Sequence, residues 1–324
     1  VYAGASGMAL APTTCDQKLT IFKALEKLRS GGSTNAGSGI QLAYDLAVKN
    51  FIQGGTNRVI LATDGDFNVG ITNRGDLIRL IEKKAKTGVF LSILGFGMGN
   101  YKDATLEKLA NKGNGNYYYI DSFKEARKVL VKEMGSTLIT IAKDVKIQIE
   151  FNPVNVNKYR LIGYENRLLK SEDFNDDKKD AGEIGASHTV TALYEIIPKG
   201  VESSIDDNKI DPLKYQTKKA NNENYSKELL TLKLRYKEPE QDKSKLIKTV
   251  VMDKSKEITK ASNDLIFAAS VASFGMILRD SKYKGSMTFD FVLELSNQSL
   301  RNDKEGYRKE FIKLVKKAKE LMNK

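Results

Sequence analysis

Two short segments in the first half of the chain are almost continuously apolar. They are Arg58–Thr63 and Val89–Gly95. Runs of this kind are typical of parallel strands that are covered on both faces. Between them, Leu77, Leu80 and Ile81 recur at helical spacing, as expected of a helix that connects one parallel strand to the next. The pattern predicts an α/β fold with a doubly wound, mostly parallel sheet.

The second half of the chain has a different pattern. From Asp144 onward, apolar and polar residues alternate with period two, which is typical of antiparallel strands. Two helical stretches follow: Leu265–Leu278 is apolar nearly all round and is predicted to be buried, and Arg308–Lys324 is amphipathic. We therefore predict an α/β domain in residues 1–142 and a mainly antiparallel β domain with closing helices in residues 143–324.

Composition excludes several kinds of function. The formal net charge is +12, but the lysines are interspersed with acidic residues, so the sequence favours a solvated surface over nucleic-acid binding. Cys15 is the only cysteine and His188 the only histidine, so one chain cannot form an intrachain disulfide, a multi-cysteine zinc site or a site with two imidazoles. The loop acids Asp176, Asp177 and Asp180 are interpreted as solvated charge rather than as catalytic acids.

Two loops are rich in small, oxygen-bearing residues. Gly31–Gly37 precedes a predicted helix, and Thr63–Gly70 directly follows a predicted buried strand. In an open α/β sheet, ligands bind at the carboxyl ends of the strands. The hydroxyl of Thr34 and the carboxylate of Asp64 are hard donors that suit Mg²⁺, Mn²⁺ or Ca²⁺. From the residues alone, the alternative remains that Thr34 caps its helix and Asp64 begins a turn.

These two loops resemble the second and third segments of the metal-ion-dependent adhesion site of von Willebrand factor type A domains. The resemblance implies that Thr34 coordinates the metal and that Asp64 coordinates it directly or through water. Further segments resemble bacterial type A proteins of the YfbK-like group, which carry an uncharacterised C-terminal domain. These segments are Asn57–Asn68, Leu94–Asp103, Phe151–Pro153, Tyr159–Arg167, Glu172–Asp177 and His188–Glu195.

One part of the family pattern is not found in the chain. The first metal-binding segment, Asp-x-Ser-x-Ser, does not occur in the sequence, and the resemblance implies that it lies on a first strand ahead of Val1. Residues 1–142 would then be a type A domain without its first strand and helix. Since Thr34 and Asp64 alone under-coordinate a hard cation, we expect this chain by itself to bind metal weakly or not at all.

The resemblance implies a non-enzymatic adhesion module whose metal ion engages an acidic residue of a partner protein. It also implies a location outside the cytoplasm, in the cell envelope, with a lipid anchor upstream of Val1. One alternative is an accessory subunit of a channel or transport assembly, because some related sequences are called calcium-activated chloride channel homologues. Another is a metal-dependent hydrolase, which is disfavoured because no base or nucleophile accompanies the two loops.

Overall fold

The computed structural model of the chain describes residues 2–3, 5–29, 36–65, 73–98, 102–164, 168–201, 225, 227–254, 257–301 and 303–322. The strands within these residues are β1 (Tyr2–Ala3), β2 (Ala5–Ser6), β3 (Arg58–Thr63), β4 (Phe90–Phe96), β5 (Tyr117–Ile120), β6 (Thr140–Phe151), β7 (Val156–Ile162), β8 (Gly182–Gly185), β9 (Leu193–Pro198), β10 (Glu228–Lys237) and β11 (Lys245–Met252). The α-helices are α1 (Lys18–Glu26), α2 (Ala36–Lys49), α3 (Arg74–Ala85), α4 (Asp103–Lys112), α5 (Phe123–Arg127), α6 (Met134–Leu138), α7 (Asn263–Leu278), α8 (Phe289–Gln298) and α9 (Tyr307–Met322).

The chain divides into two compact units that are not continuous in sequence. The first unit comprises Val1–Lys146, Asp177–Thr189 and Tyr236–Lys245. The second comprises Ile147–Asp176, Val190–Arg235 and Leu246–Lys324. The first unit thus contains the α/β region together with segments of the β-rich region, and a domain boundary after residue 142 stays a prediction.

The first unit contains a parallel sheet of three strands in the order β3-β4-β5. The register pairs Arg58 with Phe90 and Ile93 with Tyr117. The predicted α/β fold with a parallel sheet is confirmed. The strand predicted at Arg58–Thr63 coincides with β3. The strand predicted at Val89–Gly95 corresponds to β4, which begins and ends one residue later.

The core of the first unit is formed by the inner residues of this sheet and by the apolar faces of α2, α3 and α4. The side chains that form it are Ile40, Tyr44, Val59, Leu61, Leu77, Ile81, Val89, Leu91, Ile93, Leu106, Leu109 and Ala110. Burying one large aliphatic side chain stabilises a fold by about 1.5–3 kcal/mol, so this cluster holds the strand ends in place. Each strand therefore delivers the residues that follow it to a fixed position at the carboxyl edge of the sheet.

The predicted antiparallel region is also confirmed. One sheet has four strands in the order β11-β10-β6-β8, and a second has two strands, β7 and β9. β6 pairs with β8 from Thr140 opposite Gly185 to Val145 opposite Gly182, with two register shifts between these pairs. Register shifts of this kind, as at β-bulges, redirect the side chains near them.

The closing helices α7, α8 and α9 share a small core. It contains Phe274, Ile277, Val292 and Val315, and Phe311 meets the ring of Phe274 edge to face. The prediction of a buried helix is wrong for one face of α7.

The outer face of α7 accounts for that error, because Leu265, Val271 and Leu278 are exposed by 41–48%. Two helices packed against one side of α7 cover only part of its circumference. None of the described helices combines the length and apolar character needed to cross a membrane.

Candidate functional site

Asp64 lies at the carboxyl edge of the parallel sheet. It follows β3 directly and is exposed. Thr63 is in register with Gly95, and a Cβ atom built on Gly97 would lie 3.7 Å from the Cβ of Asp64. The position predicted for Asp64 is therefore confirmed, while its role as a metal ligand stays a prediction.

Two backbone features hold the turn that presents Asp64. The buried hydroxyl oxygen of Thr63 accepts a hydrogen bond from the Gly65 N–H at 3.1 Å. Gly65 has φ of +82°, and a Cβ atom there would lie 3.3 Å from the backbone nitrogen of Lys102. A residue with a side chain would be strained at this position, so glycine is required for the turn.

The neighbouring loop after β4 is fixed in a similar way. Gly97 has φ of +98°, and its carbonyl oxygen accepts a hydrogen bond from the Tyr119 hydroxyl at 2.7 Å. Tyr119 belongs to β5, so three consecutive strands contribute to this edge. The loops around Asp64 are thus held by hydrogen bonds within the protein itself.

Thr34 lies outside the described residues, as does most of its loop, so the structure does not relate Thr34 to Asp64. The helix predicted after this loop is confirmed as α2, which begins at Ala36 and buries Ile40 and Tyr44 completely in the core. The assignment of Thr34 as a metal ligand stays a prediction.

A group of three carboxylates, which we call the carboxylate cluster, lies elsewhere in the first unit. It consists of Asp144, Asp180 and Glu183, each with one oxygen within 4.8 Å of the others. Asp144 is in β6 and Glu183 in β8, and the antiparallel pairing of these strands brings the side chains together. The interpretation of Asp180 as solvated loop charge is therefore incomplete.

Two lysines pair with the carboxylate cluster. Lys237, which is 7% exposed, donates from Nζ to Asp144 Oδ2 at 2.7 Å and to the carbonyl oxygen of Asp177 at 2.6 Å. Lys112 Nζ lies 3.6 Å from Asp180 Oδ2. These contacts join α4 and β10 to the β6–β8 pair through charged side chains.

Arg58, the first residue of β3, supplies the third cation. It donates from Nη1 to Ser92 Oγ at 2.7 Å and from Nη2 to Thr140 Oγ1 at 3.3 Å. Its positive charge acts on Glu183 and favours the ionised carboxylate. Three cations, Lys237, Lys112 and Arg58, thus face the three carboxyl groups of the cluster.

Burial nevertheless dominates the protonation of Glu183. Burial first, and then the nearby charges of Asp180 and Asp144, raise the pKa of Glu183 from 4.5 to about 8, while Arg58 opposes the shift. The pKa of Asp180 is also raised, first by burial, and Lys112 opposes that shift. The carboxylate cluster therefore holds a proton at neutral pH that exposed carboxylates would release.

The carboxylate cluster and Asp64 lie at opposite ends of strand β3. Arg58, which faces the cluster, begins β3, and Asp64 follows its last residue. At ~3.3 Å per residue, the two ends of this strand are about 20 Å apart. The cluster therefore cannot supply the ligands that Asp64 lacks.

Two further polar residues, His188 and Asp103, have structural contacts among the described residues. His188 is exposed, and its backbone N–H donates to the Gly185 carbonyl oxygen in a turn that follows β8. Asp103 accepts a hydrogen bond from the Tyr117 hydroxyl at 2.5 Å, which joins α4 to β5. Both residues have structural contacts of their own.

A parallel sheet that presents Asp64 directly after β3 fits a von Willebrand factor type A domain. The model of that family, described as von Willebrand factor type A domain, matches residues 9–132. The family described as "Uncharacterized protein YfbK, C-terminal" matches residues 136–321, more than half of the chain. The chain belongs to this family, in which a type A domain is followed by the YfbK C-terminal domain.

A curated relative carries the same family assignment. The chain is 44% identical over 317 residues to "Uncharacterized protein YfbK" of Escherichia coli (strain K12), covering 98% of the chain and 54% of that protein. The chain thus spans about half the length of this relative.

Two solved structures show a distant likeness to the chain. A von Willebrand factor type A protein from Catenulispora acidiphila is 14% identical with a TM-score of 0.41, covering 93% of this chain and 67% of its own. The human COPII-coat protein Sec24c is 12% identical with a TM-score of 0.38, and the match covers 87% of this chain and 37% of that protein's chain. At these scores the likeness supports no conclusion about function.

Proposed function

We propose that the chain is a non-enzymatic protein-binding module of the adhesion type. In this proposal Thr34 and Asp64 hold a divalent cation, and the cation engages an Asp or Glu carboxylate of a partner protein. The observation that carries it is the exposed Asp64 at the carboxyl edge of the sheet, in a chain that matches the type A domain family. Type A domains are in general protein-interaction modules.

The chemistry of hard cations explains how such a site would select its partner. Mg²⁺ prefers an octahedron of oxygen ligands, and a position not filled by the domain remains for an oxygen from outside. A carboxylate is favoured there over a neutral oxygen because the cation carries two positive charges. Specificity for an acidic residue thus requires no bond to be made or broken.

The missing ligands would come from an Asp-x-Ser-x-Ser segment on a strand beside β3. Among the described residues β3 is an edge strand of the parallel sheet, and its outer residues Ile60 and Ala62 are exposed, Ile60 by 41%. A parallel strand that pairs with this edge would end beside Asp64. Its hydroxyl and carboxylate groups would then reach a cation bound by Thr34 and Asp64.

We expect Mg²⁺ and Mn²⁺ affinity to rise at least about 100-fold when an N-terminal strand carrying Asp-x-Ser-x-Ser precedes the chain, because three further oxygen ligands become available. Isothermal titration calorimetry on the 324-residue chain and on the extended polypeptide measures this difference. In the extended polypeptide, Asp64→Ala and Thr34→Ala should each abolish the gain.

Asp76→Ala is the matched control, because Asp76 is an exposed aspartate of the same domain that is paired with Arg79 on α3. It should leave the affinity unchanged. Equal affinity in the extended wild type and the Asp64→Ala variant would contradict the proposed site. Turnover of an ester or phosphate substrate that depends on Asp64 would contradict the non-enzymatic assignment.

The same proposal places the protein outside the cytoplasm, in the cell envelope, with a lipid anchor upstream of residue 1. A partner carboxylate on another cell-surface protein would be accessible there. Protease digestion of intact cells, followed by detection of the β-rich domain, tests this location. Resistance both in intact cells and in cells stripped of their outer layers, with digestion only after lysis of the cytoplasmic membrane, would contradict it.

A further inference from the structure

β11 is an open edge strand of the four-stranded sheet. It pairs with β10 on one side, and no strand of the described residues pairs with its other side. All eight of its residues are exposed. Five of them are large and apolar, with exposures of 37–50%: Leu246, Ile247, Val250, Val251 and Met252.

Both faces of β11 carry this apolar surface. Successive side chains of a strand point to opposite faces, so Leu246, Val250 and Met252 share one face while Ile247 and Val251 share the other. Soluble proteins ordinarily protect edge strands with proline, bulges or several charges. β11 has no proline and only two lysines over eight residues, so its edge is well suited to pair with another strand.

The sequence around β11 is complementary to itself. In a symmetric antiparallel pair, a two-fold axis perpendicular to the sheet passes beside one residue and keeps every residue on its own face. With the axis at Thr249, each cross-strand pair occurs twice, except that Thr249 lies opposite Thr249 of the other copy. The pairs are Lys245 with Asp253, Leu246 with Met252, Ile247 with Val251, Lys248 with Val250 and Thr249 with itself.

We propose that two copies of this chain associate through β11, antiparallel and with Thr249 on the two-fold axis, to form a continuous eight-stranded sheet. The register places opposite charges at both ends and apolar pairs on both faces, which are the cross-strand pairs that stabilise sheets. This association is independent of the function proposed for Asp64.

Neighbouring registers are less favourable. An axis at Lys248 would place two ammonium groups directly opposite each other. An axis at Val250 would place Asp253 opposite Ile247 and Lys254 opposite Leu246, which pairs charge with apolar surface. Between residues 245 and 253, the register at Thr249 pairs Lys245 with Asp253 and places charge opposite apolar surface only at Lys248 and Val250.

The ends of β11 are already positioned for this contact. Lys245 forms an ion pair with Glu238 of its own chain, which holds the ammonium group at the strand end. Asp253 donates its backbone N–H to the Lys227 carbonyl oxygen at 3.1 Å. An ammonium group has three donors, so Lys245 can pair with Glu238 and with Asp253 of the second copy together.

The dimer should be weak, because two short strands bury less surface than the roughly 800 Å² per partner of a standard interface. We expect a Kd on the order of 10–100 µM, measured by sedimentation equilibrium over a concentration series. Ile247→Asp should weaken it at least about 10-fold, since each copy then places a carboxylate opposite Val251. Ile52→Asp is the matched control, because Ile52 is also exposed, by 64%, but lies outside β11.

Disulfide cross-linking tests the register directly. In a Cys15→Ser background, Thr249→Cys places two thiols opposite each other with Cβ atoms about 4.5–5.5 Å apart, and oxidation should give a covalent dimer. Leu246→Cys is the control on the same strand, because its two copies would be offset by six residues, about 20 Å, and should not cross-link.

A charge exchange separates the pairing of Lys245 and Asp253 from general effects on folding. Asp253→Lys should weaken the dimer, and the double variant Lys245→Asp/Asp253→Lys should restore at least part of the affinity. A monomeric wild type at every concentration, including one whose β11 binds a different protein, would overturn the proposal. So would a dimer that Ile247→Asp leaves intact or equal cross-linking at residues 249 and 246.

Discussion

Replacement of Lys237 by methionine is expected to lower the free energy of unfolding by about 3–5 kcal/mol at pH 7, because it removes one partner of a buried ion pair. Lys237 is 7% exposed and donates to Asp144 Oδ2 at 2.7 Å. Without it, the carboxylate of Asp144 and the carbonyl oxygen of Asp177 lose a charged donor. Urea denaturation followed by circular dichroism measures the change.

A second substitution separates the unpaired charge from lost packing. In Lys237→Met/Asp144→Asn the remaining partner is neutral, and about half of the lost stability should return. Asparagine is suited to this site because Asp144 has φ of +53°, a conformation that asparagine tolerates, and because its side-chain oxygen can still accept from the Ala181 N–H.

Lys313→Met, at an exposed position of α9, is the matched control and should change stability by less than about 0.5 kcal/mol. A loss of similar size in Lys237→Met and Lys313→Met would contradict the importance of the buried pair. No recovery in the double variant would assign the loss to packing instead.

Replacement of Glu183 by glutamine is expected to stabilise the fold at alkaline pH. Burial raises the pKa of Glu183 from 4.5 to about 8, so between these values the unfolded chain releases a proton that the folded chain retains. The contribution of Glu183 to the free energy of unfolding is therefore fully present below pH 4.5 and is lost as the pH rises towards 8. Because glutamine does not ionise, it should remove this loss.

The expected gain at pH 8.5 is about 1–3 kcal/mol, after allowance for the part of the Glu183 carboxylate that solvent reaches. At pH 4.5 the variant and the wild type should be nearly equal, since the carboxyl group is then protonated in the folded chain. Denaturation curves over this pH range measure the difference. Glu320→Gln, exposed on α9, should follow the wild-type curve, and a Glu183→Gln curve parallel to the wild type would contradict the assignment.

The strands and helices near the candidate site could be predicted because their residues carry local signals. The apolar run at Arg58–Thr63 matches β3 in both bounds, and the glycine after Asp64 marks the turn that follows. Ser122 caps α5, because its Oγ accepts a hydrogen bond from the Glu125 N–H at 3.2 Å. Local hydrogen bonding and burial of a continuous apolar segment leave few alternatives for such residues.

The sequence could not indicate the carboxylate cluster. Asp144, Asp180 and Glu183 are separated along the chain and meet only because β6 and β8 pair with particular register shifts. A register change of one residue would turn Glu183 to the other face of the sheet. The raised pKa of Glu183 is thus a consequence of tertiary structure, and no sequence motif indicates it.

The sequence by itself determined the α/β fold, the position of Asp64 directly after β3 and the antiparallel character of the second half. Periodicity and apolar runs decide these features because they depend on neighbouring residues. Only the tertiary structure decided that Lys237 is buried against Asp144, that α7 has an exposed face and that β11 is an open edge. These properties depend on which distant segments cover a residue, and that information lies in the packing of the whole chain.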